Sequence, residues 1–210
     1  MDAPKLLANQ SACIARQAAL GQSHVAPLAA FVQSLRRRTA HTGRVPDFDP
    51  CDGGVEAECL FLLEAPGPKA VTSGFVSRNN PDETAKNFYL LNHEAGLPRE
   101  RTVSWNLVPW YVGSGTRIRA VASADIEASV PYLKELLALL PKLRVVVLVG
   151  RKAQSARDVI EQLQFNYTFF ECPHPSPLAI NGHPERRAEI VLCLKSVAAY
   201  LGTSSVAATR

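Results

Sequence analysis

The stretch Leu143-Arg144-Val145-Val146-Val147-Leu148-Val149-Gly150 decides the fold class of this 210-residue chain. Its almost unbroken run of apolar residues predicts a strand buried on both faces, which is typical of a central position in a parallel sheet. Parallel strands are joined by crossover connections, and these are usually helices. The sequence on either side should therefore alternate between strands and helices.

This alternation is present in the rest of the chain. Apolar runs predict three more strands at 59–63, 102–107 and 167–171, besides the strand at 143–149. Helical periodicity predicts helices at 27–40, 81–95, 124–140, 150–163 and 184–200. The pattern indicates an α/β fold with a central, mainly parallel sheet of four strands.

Composition sets limits on the class of protein. Apolar residues make up 47% of the chain, so it can bury a substantial core, and only 20% of residues are charged, which argues against disorder. The net charge of +4 permits a polyanionic partner without requiring one. The start of the chain lacks the order of regions found in a signal peptide, and no apolar run is as long as a membrane span. We therefore predict a cytoplasmic protein without a membrane partner.

Three segments are predicted along the chain. Residues 1–45 should form a helical, partly flexible arm, residues 46–201 the main domain, and residues 202–210 a frayed tail. The helix at 27–40 ends in Arg36, Arg37 and Arg38, which suit either a solvated helix end or contact with phosphate.

The five cysteines argue against two kinds of cross-link. Their number is odd and none are spaced as C-x-x-C. An odd count in an intracellular chain does not suit a disulfide framework. We predict separate thiols and no metal site.

Ligands in open parallel sheets bind beyond the carboxyl ends of the strands. Four segments follow the predicted strand ends here, namely 64–82, 106–116, 150–152 and 172–183. Three of these segments, all except 150–152, carry unusual residues, and these are the candidates for chemistry.

The first candidate is Glu64-Ala65-Pro66-Gly67-Pro68. The Pro-Gly-Pro sequence makes a stiff turn that exposes amide groups, although an ordinary strand-to-loop turn has the same composition. Glu64 ends an apolar strand, where a carboxylate needs either a partner or a function.

The second candidate is Asn106, which closes the strand predicted at 102–107. An asparagine amide has a donor side and an acceptor side, so a fixed amide can tell uracil from cytosine by its pairing edge. A turn-capping asparagine is the alternative.

The third candidate is Cys172-Pro173-His174-Pro175-Ser176-Pro177-Leu178. Three alternating prolines restrict its backbone, so His174 is oriented before a ligand arrives and can donate to charge developing on a leaving group. Ser176 can contact a phosphate, and Leu178 suits the gap left by a displaced base. A rigid surface loop without a function is the alternative.

Together these segments resemble the uracil-DNA glycosylase superfamily. Glu64-Ala65-Pro66-Gly67 is similar to the first signature loop of thermophile-type bacterial members, and His174-Pro175-Ser176-Pro177-Leu178 is similar to the second. Asn106 resembles the asparagine between the loops, and Phe75 the aromatic residue that stacks on a flipped base. The resemblance covers roughly residues 57–200.

The resemblance implies a three-layer α/β/α domain that excises uracil or a related deaminated base from DNA. His174 would stabilise the departing base at O2, Phe75 would hold its face and Asn106 would read its edge. Ala65, Pro66 and Gly67 would also contact the base. The residues that the resemblance assigns to DNA binding are Ser176, Pro177, Leu178 and Arg186.

The sequence departs from the best-known members at two positions. Ala65 occupies the place of an aspartate that positions water, so Glu64 and Asp82 are the remaining candidate carboxylates. The alternative for Asp82 is an acidic residue in the first turn of the following helix, which the helix dipole favours. Gly67 replaces a tyrosine that blocks the methyl group of thymine, which leaves the exclusion of thymine open. The cysteine pattern of the iron–sulfur members is missing, so we predict no cluster and no other cofactor.

These observations favour a monofunctional glycosylase, since no lysine stands out as a Schiff-base nucleophile. We expect it to act as a monomer on DNA. A catalytically weak DNA- or nucleobase-binding module on the same fold is the alternative, and Ala65 favours it. An unrelated α/β hydrolase lacks support, because the chain has neither a Gly-x-Ser-x-Gly elbow nor a P-loop.

Overall fold

The apolar run before Gly150 forms an inner strand of a parallel sheet in the computed structural model, which describes residues 2–39, 44–113, 119–163 and 166–203. The strands are β1 (Asp47–Phe48), β2 (Cys59–Leu63), β3 (Phe75–Val76), β4 (Thr102–Asn106), β5 (Val145–Val149) and β6 (Thr168–Cys172). The helices are α1 (Gln10–Ala19), α2 (Ala26–Arg38), α3 (Pro68–Ser73), α4 (Glu83–Ala95), α5 (Ser123–Ala138), α6 (Arg151–Gln154), α7 (Arg157–Glu161), α8 (Pro177–Ile180) and α9 (Pro184–Thr203).

The main sheet has the strand order β4-β2-β5-β6, and its three pairings are all parallel. Every residue of the inner strand β5 is buried, as are four of the five residues of its neighbour β2. Strands covered on both faces need apolar side chains at successive positions, which is why neither strand alternates in polarity. The predicted parallel four-stranded sheet is confirmed.

Each face of the sheet is covered by its own set of helices. On one face Leu60 and Leu62 of β2 share a core with side chains of α2 and α5. On the other face Phe61 packs with apolar residues of α4 and α9. The alternation of side chains along β2 therefore fills two separate cores. This arrangement gives the three layers that the sequence resemblance implied.

The helix α2 belongs to the core of the domain. Its residues Leu28, Val32 and Leu35 are fully buried in the core shared with β2 and β4. Directly after the arm, Phe48 stacks on Trp105 with ring centroids 3.8 Å apart. The described part of the predicted arm is thus helical and packed, while a domain boundary at residue 45 stays a prediction. Residues 204–210 of the predicted tail lie outside the described residues.

The basic end of α2 is largely engaged by the protein itself. Arg36 donates to the backbone carbonyl of Val45 at 3.0 Å and to Asp47 at 3.0 Å. Arg38 makes a two-pronged contact with Glu135 of α5 at 2.8 and 2.6 Å. These two side chains therefore support the packing of α2 through ion pairs, whereas the sequence suggested either a solvated helix end or contact with phosphate.

A buried ionic network ties the N-terminal helix α1 to the domain. The Asp49 carboxylate accepts hydrogen bonds from Arg16 of α1, from Ser77 and, at 2.6 Å, from Arg99. Burial alone would raise the pKa of Asp49, but Arg99 and Arg16 hold it below its usual range. An ionised, fully buried carboxylate of this kind is stable only while its partners remain in place.

Two predicted helices differ in detail from the structure. The helix predicted over 150–163 is two short helices, α6 and α7, separated by Ser155 and Ala156. The helix predicted to start at residue 81 starts at Glu83, because the Asp82 carboxylate caps it by accepting the Ala85 N–H at 2.9 Å. Nowhere in the part of the chain that the structure describes is a helix long and apolar enough to cross a membrane.

Candidate active site

Four loops meet at the carboxyl edge of the main sheet. They begin at Glu64 after β2, after Asn106 at the end of β4, at Gly150 after β5 and at Pro173 after β6. Parallel strands end at one edge, so the fold itself brings these segments together. Two neighbouring cavities open among the loops.

The first cavity has a volume of about 340 Å³. The first loop contributes Ala65, Pro66 and Gly67 to its lining, β4 contributes Asn106, and the proline-rich loop contributes His174. Residues predicted from two separate signature loops and the strand between them therefore share one cavity. Its size lies at the lower end of the range usual for small-molecule sites.

Asp82 also lines the first cavity. One of its carboxylate oxygens, Oδ1, caps α4 through the Ala85 N–H. Asp82 therefore caps a helix and also lies where a residue of the site is expected. A substitution of Asp82 that removes its capping oxygen will affect both the charge in the cavity and the start of α4.

Phe75 lies in β3, and only 1% of its surface is exposed. Asn80 holds this segment, because its Nδ2 donates to the Phe75 carbonyl at 2.9 Å and its Oδ1 accepts from Ser73 Oγ at 2.6 Å. Asn80 lines the first cavity, whereas Phe75 is not among the lining residues. A base could stack on the Phe75 ring only after a local rearrangement.

The proline-rich loop is held on both sides of its histidine. The Gly150 N–H and the Gln154 side chain donate to the Cys172 carbonyl at 2.9 and 3.0 Å. The Asn87 side chain of α4 donates to the Pro175 carbonyl at 3.0 Å. Hydrogen bonds from two elements therefore add to the restriction that the prolines impose on the backbone.

Gly150 lies directly against His174. Its backbone has φ +85° and ψ 159°, a combination essentially restricted to glycine. A Cβ atom at this position would lie 3.0 Å from Cβ of His174 and 3.4 Å from Cδ2 of its ring. The glycine is needed both for its own backbone angles and for the space that the histidine occupies.

His174 is partly buried and lines both cavities. Burial lowers the pKa of His174 below its ordinary value, although the nearby Glu64 and Asp82 oppose this effect. A lowered pKa favours the neutral imidazole near pH 7, which has one N–H donor and one acceptor nitrogen. His174 is thus suited to donate one hydrogen bond without carrying a full charge.

The second cavity is larger, at about 1120 Å³, and lies on the other side of His174. Four more of the predicted residues line it, namely Glu64, Ser176, Leu178 and Arg186. The structure therefore separates the predicted carboxylates, since Asp82 lines the first cavity and Glu64 the second. His174 is the residue that the two share.

Exposed cations stand along the second cavity. Arg151 and Arg186 are exposed, and within the described ranges neither makes an ion pair. The adjacent Arg187 differs, because it is paired with Glu94 of α4. Lys152 lines the same cavity and donates to the Val121 carbonyl at 3.2 Å. The acidic side chains that also line this cavity are Glu64, Glu171 and Glu189.

Leu178 projects from the short helix α8, and 92% of its surface is exposed. Pro177 occupies the first turn of this helix, and the backbone of Ser176 precedes it in an extended conformation. A leucine so exposed loses the benefit of burial unless a partner covers it. Leu178 is the most exposed of the large apolar residues that the structure describes.

Sequence reasoning missed several residues of the site. It placed the segment 150–152 at the ligand edge but gave no role to Gly150, Arg151 or Lys152. It also passed over Ser104, which is 4% exposed and lines the first cavity. Its position in the sequence could have identified it, since Ser104 lies two residues before Asn106 and therefore on the same face of β4.

Metal ligands are not grouped in this region. Across the described residues, no cluster of three or more histidine, cysteine, aspartate or glutamate side chains is arranged to hold a metal ion. Cys59 and Cys172 are buried thiols. The absence of a cluster or other cofactor remains a prediction from the sequence.

Comparison with known proteins identifies the family. A sequence model of the uracil DNA glycosylase superfamily matches residues 50–198, which is more than half of the chain. The chain belongs to this superfamily. The matched region includes both signature loops and all four strands of the main sheet.

One solved structure gives a weaker likeness. It is a solution NMR structure from Methanosarcina acetivorans, described as a candidate uracil DNA glycosylase, with 17% sequence identity and a TM-score of 0.49. The match covers 68% of this chain and 92% of that one. The search of curated proteins returned no match. The family assignment therefore rests on the superfamily match.

Proposed function

We propose that this protein is a monofunctional DNA glycosylase that hydrolyses the N-glycosidic bond of uracil, or of a related deaminated base, flipped out of DNA. The supporting observation is the first cavity, where Asn106 and His174 meet the first signature loop in a member of this superfamily. We further propose that it acts as a cytoplasmic monomer without a cofactor.

In this proposal the flipped base occupies the first cavity. Cleavage leaves positive charge on the sugar and negative charge on the base. His174, neutral and held by its loop, donates a hydrogen bond to the base at O2 as that negative charge develops. Asn106 binds the pairing edge, while Ala65, Pro66 and Gly67 contact the base from the first loop.

The DNA strand lies along the second cavity in the same proposal. Leu178 enters the duplex and fills the gap left by the base, which its exposure permits. Ser176, Pro177 and Arg186 contact the backbone, and the exposed Arg151 adds charge on the same side. Phe75 stacks on the base once its ring is uncovered.

The attacking water needs a carboxylate, and Ala65 supplies none. Asp82 and Glu64 are the two candidates, because both lie near enough to affect the pKa of His174. They approach it from different cavities. We keep both in the proposal and separate them by substitution.

Ala65 also supports a second candidate function, a nucleobase- or DNA-binding module that excises weakly or not at all. In such a module Asn106 and His174 would bind the base without an efficient attack by water. Tight binding of uracil-containing DNA without cleavage would be its distinguishing property.

The deciding assay uses end-labelled single- and double-stranded DNA with one uracil, followed by alkali to break abasic sites. We expect strand breaks with the wild type and a loss of at least 100-fold in His174→Ala. The matched control is His183→Ala, which removes an exposed histidine that pairs with Glu185. Binding without breaks at enzyme excess would favour the module, and neither binding nor breaks would refute both functions.

The carboxylates require substitutions that spare the fold. Asp82→Ser removes the charge but keeps a side chain that caps helices about as well as aspartate. Glu64→Gln keeps the shape of its side chain. The variant with the larger fall in kcat, at an unchanged melting temperature, identifies the residue that positions water. If neither variant slows the reaction, the role proposed for these carboxylates is wrong.

A further inference from the structure

The strand β4 turns a polar face towards the first cavity. Side chains alternate along a strand, and Val103 and Trp105 face the core that contains α2 and α5. Ser104 and Asn106 face the opposite way and line the first cavity. Asn106 is the last residue of β4, so Ser104 lies deeper, farther from the edge where the loops meet.

Ser104 carries a hydroxyl that no neighbour satisfies. The residue is 4% exposed, and within the described part of the chain its Oγ has no hydrogen-bond partner. A buried hydroxyl in this condition destabilises the folded state. Native proteins keep few such groups, and one that faces a ligand cavity suits a bound polar group.

The side chains around Ser104 differ from it in chemistry or in the element that carries them. Leu63 and Phe88 are apolar walls of this cavity. Arg78 also lines it; its guanidinium donates to Thr102 Oγ1 at 2.7 Å, at the far end of β4, and its Nε has no partner among the described residues. Ser104 is therefore the polar side chain on β4 placed directly below Asn106.

The way a base enters the cavity determines which of its atoms reaches Ser104. The sugar stays outside, so the glycosidic nitrogen of a pyrimidine faces the carboxyl edge of the sheet. The ring position opposite that nitrogen is C4, and its substituent points deepest. Ser104 lies two residues, about 6.6 Å, beyond Asn106 in that direction.

We propose that Ser104 is a specificity-determining residue that binds the substituent at position 4 of the flipped base, donating a hydrogen bond to O4 of uracil. The inference rests on the proposed function, because it needs a base in the first cavity. Asn106 then binds the base from nearer the mouth of the cavity, and Ser104 binds it from the floor.

The proposal makes stability and activity change in opposite directions. Ser104→Ala removes a hydroxyl that has no partner in the free protein, so the melting temperature should stay the same or rise. Excision of uracil should fall roughly three- to tenfold in kcat/KM, the effect of one lost neutral hydrogen bond. A merely structural serine would lose stability and activity together.

The test compares two bases that differ only in the atom at position 4. Wild type and Ser104→Ala are assayed on DNA containing uracil and on DNA containing 4-thiouracil, which keeps N3–H but replaces O4 by sulfur, a weaker hydrogen-bond acceptor. The variant should be slower on uracil and within about twofold of wild type on 4-thiouracil. Ser196→Ala, on the exposed side of α9, is the control and should match wild type on both bases. Equal losses on the two bases, or no loss on either, would overturn the role of Ser104.

A second measurement separates this inference from the proposed function. If wild type fails to cleave either substrate, binding of free uracil and free 4-thiouracil is measured by calorimetry for both proteins. Weaker binding of uracil alone by Ser104→Ala would support the contact although the glycosylase activity had failed. No binding of uracil by wild type, or equal binding by both proteins, would overturn the contact.

Discussion

Replacing Gly150 with alanine should displace His174, because the new methyl group would press directly against the histidine. The new Cβ would lie 3.0 Å from Cβ of His174. Carbon atoms pack best at about 3.5–4.0 Å, so relief of the contact needs a shift of roughly 0.5–1 Å. The Gly150 N–H also holds the Cys172 carbonyl, two residues before His174, so the backbone there has little freedom to yield.

Two effects of different size follow from this substitution. The backbone angles of Gly150 disfavour alanine, which should lower the free energy of unfolding by about 1–3 kcal/mol. A displacement of about 1 Å at a reacting group can slow catalysis about 100-fold. We therefore expect kcat for uracil excision to fall by one to two orders of magnitude while the protein remains folded, with the larger value as the upper bound.

Gly96→Ala is the matched control for the backbone effect. Gly96 has φ +65° at the end of α4, and a Cβ there would meet no atom within 4 Å. Both variants should lose stability, but only Gly150→Ala should lose kcat in single-turnover assays at a temperature where both are fully folded. If the two variants cleave at the same rate, Gly150 does not position His174 and this interpretation of the contact is wrong.

Three further outcomes are expected. Arg186→Ala should weaken binding of DNA and reduce its dependence on salt, whereas Arg187→Ala, whose side chain is paired with Glu94, should change the salt slope less in the same titration. Asp49→Ala should lower the free energy of unfolding by about 3–5 kcal/mol in urea titrations, because it removes the fully buried carboxylate that accepts from the buried Arg16, from Ser77 and from Arg99; a loss below about 1 kcal/mol would contradict this. Because burial lowers the pKa of His174 below 6.5, the folded state binds fewer protons than the unfolded chain just below that pH. Stability should then fall as the pH drops through this range, and less steeply in His174→Gln, as a series of melting curves would show.

The main sheet could be predicted because its strands carry their own signal. The buried strands β2 and β5 are apolar at almost every position, and each is followed by a glycine- or proline-containing turn. Such runs identify strands without knowledge of their partners. The same feature placed Glu64, Asn106 and His174 at one edge, since parallel strands must end together.

Features that depend on distant partners gave no such signal. The pair β1 and β3 has two residues in each strand, too few for a period to be seen. The buried carboxylate of Asp49 is stabilised by Arg16 and Arg99, which are 33 and 50 residues away in the sequence. No pattern in the sequence near Asp49 indicates these partners. The break between α6 and α7 likewise escaped prediction, because the sequence from 150 to 163 contains no internal proline or glycine to mark it.

The polar residues of β4 were a sequence signal for the floor of the first cavity, and the prediction of the site did not use it. Alternate positions of β4 carry Thr102, Ser104 and Asn106, all polar and all buried on one face. A strand that packs fully against a helix would place apolar side chains at these positions. Thr102 is satisfied by Arg78 and by the Arg99 carbonyl, and Asn106 stands at the mouth of the cavity. A polar stripe within an otherwise apolar, buried strand therefore indicates a cavity under that face, and it locates Ser104 as directly as the strand ends located Asn106.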